Sequence, residues 1–234
     1  YEIKECDWSS DVCSSDLYAR RNYSEFSDTT FVTQLPGEDL ISYLRRARAK
    51  KAIPPATCIT YNGTHLWAGG NGSVWVVDPN DNFRLLHNFD VDEYVLNIAP
   101  LPNDQGAVLV CQSQKVYTID YTGNVIEIYQ GTAVWEPALF NDRVYIPESE
   151  IGYLKVYNPT TKTFEADITT PEFSPSYTKV VDNKMYVCGH DNETVLVFDQ
   201  YLNQTKLVFP NKVTWISVVG NSYIASHWLK DYKI

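Results

Sequence analysis

A unit of about 40 residues repeats along most of this chain, and this repeat limits the possible folds more than any other feature of the sequence. Each copy contains an apolar strand, a polar turn, a second strand, a loop, a third strand ending in Asp or Asn, another turn and a fourth strand. The third strands end at Asp78, Asp120, Asn158 and Asp199, so successive copies are 42, 38 and 41 residues apart. Four short strands in each period of this length are typical of the blades of a β-propeller.

The repeat predicts an all-β propeller fold over residues 57–234, with four complete blades and the start of a fifth. We call the five sets of strands units 1 to 5. In chain order they read CITY, HLWA, VWVVD and FRLLH; LNIA, AVLVC, KVYTID and VIEIY; PALF, RVYI, YLKVYN and FEADI; YTKVV, KMYVC, TVLVFD and KLVF; and WISVV and SYIAS. A propeller loses its open edges only when its last blade pairs with its first, so we expect the chain to be part of a larger protein or assembly.

The turns of the units carry their own repeating signals. The first and second strands are joined by dipeptides that tolerate the positive φ angles of a tight hairpin turn. These dipeptides are Asn62-Gly63, Asn141-Asp142, Asp182-Asn183 and Gly220-Asn221. The Asp or Asn that ends each third strand is predicted to cap the following turn by accepting hydrogen bonds from backbone N–H groups, rather than to bind a metal.

Composition agrees with a β-rich fold and argues against two classes of partner. Aromatic residues make up 14% of the 234 residues, including 17 Tyr and 6 Trp, which suits pleated and half-buried surfaces. The net charge is -10, and an acidic surface repels phosphate backbones, so we expect no nucleic-acid partner. No run of 18 apolar residues occurs, so no membrane span is predicted.

The N-terminal part of the chain differs from the repeat. Residues 1–36 show no strong periodicity, and within them residues 6–17 (CDWSSDVCSSDL) resemble the translated read-through of a sequencing adapter. We exclude that stretch from fold reasoning. Residues 37–56 are predicted to hold a short helix, which acids open and bases close, as the helix dipole favours. Pro54 and Pro55 then end the helix and form a linker.

The cysteines and glycosylation sequons do not decide together between a reducing and an oxidising cellular compartment. Outside residues 6–17 the cysteines are Cys58, Cys111 and Cys188, each within an apolar strand pattern, which indicates core residues rather than a disulfide framework. Five N-x-[ST] glycosylation sequons argue against a reducing compartment. They begin at Asn22, Asn62, Asn71, Asn192 and Asn203. An extracellular, cell-envelope or virion location is slightly favoured.

The candidate binding residues lie on the connections that lead from a fourth strand to the next first strand. In a propeller these connections share one face with the loops between second and third strands, and we call it the funnel face. Each connection brings one aromatic residue and three bring acids; the candidate site residues are Tyr94, Trp135, Glu136, Tyr177 and Trp215. Aromatic rings beside acids suit sugars, cationic peptides or a bound cation. The alternative is that these rings pack between neighbouring blades.

Three stretches resemble a known class of repeats. VWVVDPN in unit 1, LKVYNPTTKTFEADI in unit 3 and VLVFDQYLNQT in unit 4 are similar to the blades of YVTN- and NHL-type propellers. The resemblance covers residues 57–234 and implies a binding module or scaffold, because most families of this kind have those roles, with some lyases and lactonases among them. One fold hosts many functions, so the resemblance leaves the activity open.

No catalytic or cofactor signature accompanies the repeat. The sequence contains no G-x-S-x-G, no H-E-x-x-H and no phosphate-binding loop, so no catalytic residue and no cofactor is predicted. His190 and His227 occupy equivalent positions in units 4 and 5. Packed sheets lie about 10 Å apart and Zn–N bonds are about 2 Å long, so we do not expect these two histidines to share a zinc ion.

These observations favour a non-enzymatic propeller that binds a protein or carbohydrate partner through its funnel-face loops. The alternative is a metal-dependent hydrolase or lyase of the lactonase-like propeller type, which acids and amides converging on the central axis would support. A pure assembly scaffold is a third possibility, and large exposed apolar patches would indicate it.

Overall fold

The computed structural model describes residues 56–81, 83–190, 192–219 and 222–226. The predicted N-terminal helix, residues 6–17, the Gly220-Asn221 turn and His227 lie outside the described residues.

Strands make up nearly all of the regular structure of this part of the chain, so the all-β prediction is confirmed. The strands are β1 Ala56–Tyr61, β2 Leu66–Asp78, β3 Arg84–Pro100, β4 Ala107–Cys111, β5 Lys115–Ile119, β6 Val125–Gln130, β7 Ala138–Phe140, β8 Arg143–Glu148, β9 Tyr153–Asn158, β10 Thr163–Phe164, β11 Ile168–Thr169, β12 Pro175–Val181, β13 Lys184–Gly189, β14 Thr194–Phe198, β15 Gln204–Val208, β16 Trp215–Val219 and β17 Ser222–Ser226. A short 3-10 helix spans Pro102–Asp104. The described residues include no helix with the length and apolar character needed to cross a bilayer.

The strands form four antiparallel sheets that follow one another in chain order. Strands β1 to β6 form a six-stranded sheet, β7 to β11 a five-stranded sheet, β12 to β15 a four-stranded sheet, and β16 and β17 a two-stranded sheet. Units 3, 4 and 5 of the repeat therefore each correspond to one sheet, while units 1 and 2 share the first.

Two details of the predicted strands were wrong. In units 1 and 2, strand β2 joins the predicted second and third strands, and strand β3 joins a predicted fourth strand to the next first strand. Left-handed Gly72 (φ 72°) separates the two halves of β2, which pair with different neighbours. In unit 3 the predicted fourth strand is interrupted between β10 and β11. Two acids in this interruption form ion pairs with basic side chains of the same sheet. Glu165 pairs with Arg143 on β8 and Asp167 pairs with Lys155 on β9, each at 2.7 Å.

The core consists of apolar layers between consecutive units. The second strand of unit 3 shows how one strand supplies two layers, because successive side chains of a strand point to opposite faces. Val144 and Ile146 pack against unit 2, and Tyr145 between them packs against unit 4. Similar layers lie between units 1 and 2 and between units 4 and 5. Both faces of the middle sheets are therefore buried, as stacked blades require.

The first strands of the units contact one another in chain order. Strand β1 contacts β3, β3 contacts β7, β7 contacts β12, and β12 contacts β16. These strands therefore follow one another along the inner side of the stacked sheets, where a propeller has its central channel.

Two of the three predicted hairpin dipeptides that the structure describes form tight turns, whereas Asn62 and Gly63 lie in a longer loop between Tyr61 and Leu66, in which only Gly63 has a positive φ angle (96°). Asn141 and Asp142 have φ angles of 48° and 58°, and Asp182 and Asn183 have φ angles of 49° and 55°, as a tight hairpin turn requires. The turn-capping prediction is also confirmed for all four third strands: a side-chain oxygen of Asp78, Asp120, Asn158 and Asp199 accepts backbone N–H groups of the next residues.

A polar cluster joins units 1 and 2 on the face opposite the funnel. The hydroxyl of Tyr121 donates to Asp104 and lies 2.9 Å from Nδ1 of His65. The amide of Asn62 also donates to Asp104. The ring of Tyr121 meets the buried ring of Trp67 edge to face, with 5.0 Å between the centroids. Hydrogen bonds from two separate turns thus converge on the carboxylate of a third turn.

Candidate functional site at the channel mouth of units 3 and 4

The connections predicted to form the funnel face do lie beside the loops between second and third strands. Backbone hydrogen bonds link the two sets in successive units: Gln112 N–H donates to Tyr94 O at 2.8 Å, Ser149 N–H to Ala133 O at 3.0 Å, and His190 N–H to Ser174 O at 2.7 Å. Both sets of loops therefore share one face of the molecule.

A buried acid fixes the connection 131–137, which carries two of the five candidate residues. Glu148 ends strand β8 with only 1% of its surface exposed. Its Oε1 accepts a 2.7 Å hydrogen bond from the N–H of Ala133 and a 3.0 Å bond from the hydroxyl of Thr132. Its Oε2 accepts a 3.3 Å bond from the hydroxyl of Tyr129. A buried carboxylate with several donors holds its partners firmly, so the connection is attached to the sheet rather than loose.

Gly131 permits this attachment. A Cβ atom at this position would lie 2.2 Å from Glu148 Oε2 and 2.2 Å from a methyl group of Val134, which is closer than any real contact. On the other side of the connection, the side-chain oxygen of Gln114 accepts the N–H of Val134 at 2.6 Å. Units 2 and 3 therefore both hold the segment that leads to the candidate site.

Trp135 is half-buried and its polar atoms are already engaged. Its indole N–H donates to the hydroxyl of Ser149 at 2.9 Å, and its backbone N–H donates to Pro147 O at 3.1 Å. The indole stacks on the imidazole of His190, with 5.9 Å between centroids and 19° between planes. Trp135 is thus oriented by units 3 and 4 together.

The backbone of Glu136 is held by hydrogen bonds, whereas its carboxyl group has no partner among the described residues. Its N–H donates to Ser176 O at 3.1 Å, its carbonyl accepts the hydroxyl of Thr178 at 2.7 Å, and it forms a parallel bridge with Tyr177. The carboxyl group has no hydrogen bond or ion pair with any residue that the structure describes. Burial raises its pKa from 4.5 to about 7, although the charge of Lys179 opposes the shift.

The charge of Glu136 acts near the central channel. It raises the pKa of Cys188 on β13 of unit 4, which burial already raises, to about 12. It contributes in the same direction to Cys58 on β1 of unit 1, where burial is again the larger cause and the pKa is about 11. A carboxylate of unit 3 that acts on groups in units 1 and 4 lies towards the middle of the molecule.

Tyr94 lies in a strand, so its predicted position on a loop was wrong, whereas Tyr177 and Trp215 lie in the first strands that the repeat predicts for units 4 and 5. Tyr94 lies in β3, where it pairs with Asn71, and Trp215 begins β16; 37% and 39% of their surfaces are exposed. Tyr177 lies in β12, where burial and then the charge of Glu136 raise its pKa. Strand β3 continues through Tyr94, and β12 begins two residues before the predicted strand, whereas β16 begins at Trp215 as predicted.

The structure therefore brings together Trp135, Glu136 and Tyr177, at the seam between units 3 and 4. No hydrogen bond, ion pair or ring contact joins Tyr94 or Trp215 to these three among the described residues.

A groove of about 460 Å³ opens beside this seam. It is lined by residues 149–153 and 169–174, which are loops of the funnel face. Ser149, which binds the indole of Trp135, forms part of its wall. The exposed acids Glu150 and Glu172 also line it, and no lysine, arginine or histidine does.

The arrangement of acids, cysteines and histidines is relevant to the metal-dependent alternative. Within the described ranges, no group of three or more His, Cys, Asp and Glu side chains is arranged to hold a metal ion. His190, one of the two histidines considered for zinc, stacks on Trp135 instead of facing an acid or cysteine.

Sequence reasoning missed Glu148, although a signal for it exists. The residue closes the otherwise apolar strand RVYIPE, where a buried acid needs donors. The donors come from a connection 15 or more residues earlier, and no local pattern identifies them.

No protein-family model matches this sequence, and a search of curated proteins also finds no match. Solved structures do match in fold. The WD40 repeats of RRP9 align with 65% of this chain at 13% identity and a TM-score of 0.53. Hydrazine synthase of Kuenenia stuttgartiensis aligns with 79% at 16% identity and a TM-score of 0.57, and a streptogramin B lyase with 66% at 10% identity and a TM-score of 0.54.

The alignments cover 51%, 56% and 54% of those three chains, so this chain spans about half of their length. WD40 repeats form the blades of β-propellers. The number of blades in the ring and the predicted domain boundaries stay predictions. The apolar layers between consecutive sheets, the succession of inner strands and the structural matches agree: the chain has a β-propeller fold.

Proposed function

We propose that this propeller is a non-enzymatic binding module that recognises a protein or carbohydrate partner through its funnel-face loops. Its blades would then be of the YVTN or NHL type, which the third-strand motifs of units 1, 3 and 4 support. The matched structures include both WD40 repeats and a lyase, so the fold alone does not decide between binding and catalysis. The choice between binding and catalysis therefore rests on the residues at the channel mouth.

The observation that carries the proposal is the unpartnered carboxyl group of Glu136, whose backbone neighbours are two aromatic residues. Trp135 precedes it in the chain and Tyr177 faces it across a parallel bridge. Hydrogen bonds fix the backbone of all three on rigid elements. Binding sites are commonly placed in this way, with a few polar groups among aromatic rings on a rigid scaffold.

Partial exposure of Trp135 distinguishes this arrangement from simple packing between units. The indole N–H and one ring face are engaged by Ser149 and His190, yet the side chain is only half-buried. Trp and Tyr rings that keep an accessible surface on a fixed backbone are frequent centres of binding energy. Both a sugar ring and a peptide side chain could stack on such a surface.

The proposal is tested by replacing Trp135 with alanine. The full chain is first screened against arrays of peptides and glycans, and the strongest ligand is then titrated against Trp135→Ala. We expect binding to weaken by about 2 kcal/mol or more, the range of a central interface residue. Tyr201→Ala is the matched control, because Tyr201 is 76% exposed and lies in the turn after β14, on the opposite face.

Two results would contradict the proposal. One is an array without ligands together with a Trp135→Ala chain that does not fold, which would make Trp135 a packing residue. The other is a ligand whose affinity is unchanged by Trp135→Ala, which would place binding elsewhere.

A further inference from the structure

The buried and half-buried acids that the structure describes are matched with donors or bases, and Glu136 is the exception among them. The buried Glu148 accepts bonds from two backbone N–H groups and two hydroxyls. Asp104 accepts from two side chains, and Asp167 pairs with Lys155. The carboxyl group of Glu136 accepts no hydrogen bond from any described residue. Glu136 is half-buried, so burial takes part of the hydration from a carboxyl group that has no partner among the described residues in exchange.

The backbone of Glu136 is held on both sides and cannot readily shift to bring the carboxyl group to another partner. Its N–H is bonded to Ser176 O and its carbonyl to the hydroxyl of Thr178. The residue before it is fixed as well, because the indole of Trp135 is held by Ser149. The carboxyl group is therefore presented at a set position, at the inner edge of the seam between units 3 and 4.

Few groups that face the carboxyl group can balance its charge. From β12 they are Tyr177 and Lys179, from β13 Cys188, and from β1 Cys58. Of these only Lys179 is cationic, and its ammonium group is not within ion-pair distance. A buried carboxylate without a counter-charge is costly, and a cation brought by a ligand would reduce that cost.

The surroundings also suit a cation. Aromatic faces attract ammonium and guanidinium groups, and the backbone neighbours of Glu136 are Trp135 in the chain and Tyr177 across the bridge. Glu150 and Glu172 line the neighbouring groove without a base among them. The chain as a whole carries a net charge of -10, and charge of one sign around a cleft raises the rate at which opposite charges arrive.

We infer that the partner is a protein that inserts a cationic side chain, a lysine ammonium or an arginine guanidinium, against the Glu136 carboxylate at the channel mouth. The inference rests on the proposed binding function and narrows it to one class of ligand. Its consequence is that affinity depends on the positive charge of one inserted side chain more than on its shape.

The test uses two capped peptides of sequence Gly-Gly-Gly-Arg-Gly-Gly-Gly, one with arginine and one with citrulline in its place. Citrulline has nearly the same shape as arginine but no charge. Each is titrated into the ¹⁵N-labelled full chain, and the dissociation constant is taken from backbone amide shifts. We expect the arginine peptide to bind the native chain about tenfold or more tightly than the citrulline peptide, as a charged hydrogen bond provides.

Three variants locate the effect. Glu136→Gln should abolish the preference for arginine. Glu127→Gln makes the same change in net charge on the outer strand β6, where Glu127 pairs with Lys115, and should preserve the preference. Lys179→Met removes the competing cation and should tighten binding of the arginine peptide. Affinity should also be higher at pH 8 than at pH 6, because Glu136 is then ionised.

Equal binding of the two peptides, or a preference that survives Glu136→Gln, would overturn the inference. The proposed function would stand in that case if a glycan or a neutral peptide still bound with an affinity that depends on Trp135. Both proposals would fail if no peptide or glycan bound at this face.

Discussion

Oε1 of Glu148 lies 2.7 Å from the backbone nitrogen of Ala133, and through this bond strand β8 holds the connection that carries the candidate site. Replacing Glu148 with alanine would leave the N–H of Ala133 and the hydroxyl of Thr132 without their acceptor. We expect the free energy of unfolding to fall by about 3 kcal/mol, as for a broken buried charged network. Urea unfolding followed by circular dichroism measures this loss.

Glu150→Ala is the matched control, because this acid lies two residues further along, is exposed and lines only the groove. It should change the unfolding free energy by less than about 0.5 kcal/mol. Similar losses in the two variants would mean that Glu148 does not anchor the connection.

The second prediction concerns pH and the stability of the native chain. Burial raises the pKa of Glu136 from 4.5 to about 7, so the folded state favours the protonated carboxyl group. The contribution to stability is fully present below pH 4.5 and is lost as the pH rises towards 7. The loss amounts to at most about 3 kcal/mol. Glutamine cannot ionise, so Glu136→Gln should come close to the native chain at pH 4.5 and melt at a higher temperature at pH 8.

Differential scanning calorimetry of both chains between pH 4.5 and 8 checks this expectation. Glu127→Gln again serves as control and should follow the pH profile of the native chain. A Glu136→Gln chain with the native pH profile would show that this carboxyl group is better solvated than its position indicates.

The third prediction concerns the polar cluster between units 1 and 2. Burial, and then the hydrogen bond to Asp104, raise the pKa of Tyr121 to about 12, so the hydroxyl remains a donor throughout the neutral range. Tyr121→Phe removes the group that His65 and Asp104 share. We expect a loss of about 1–2 kcal/mol of unfolding free energy, measured in urea. Tyr201→Phe, at a largely exposed tyrosine, should cost nothing measurable.

Local patterns in the sequence were sufficient for most of the strands and for the turn caps. Asp120 caps its turn through bonds from Thr122 and Asn124, partners that lie within four residues and are therefore visible in the sequence. The hairpin at Asn141 and Asp142 follows in the same way from residues that accept positive φ. Period-2 alternation and the 40-residue repeat then give the stacking of units, because each strand must bury both faces.

The candidate site was only partly predictable, because its geometry depends on contacts between units. Trp135 and Glu136 were identified from their position in the repeat, but the stacking on His190 and the bridge to Tyr177 join residues about 40 or more positions apart. The apolar pattern placed Tyr94 on a loop, because it does not show where a strand gains an extra pair, and it gave Trp215 correctly as the start of a strand. Their role in binding stays a prediction.

The parallel bridge between Glu136 and Tyr177 has a consequence for engineering. The residues that would grip a ligand are divided between two adjacent units, and the backbone of each half is held by the other. A single unit grafted onto another propeller would carry only half of the recognition surface, in a backbone without its support. Units 3 and 4 together, residues 131–209, are the smallest piece that a transplant of this site would have to move.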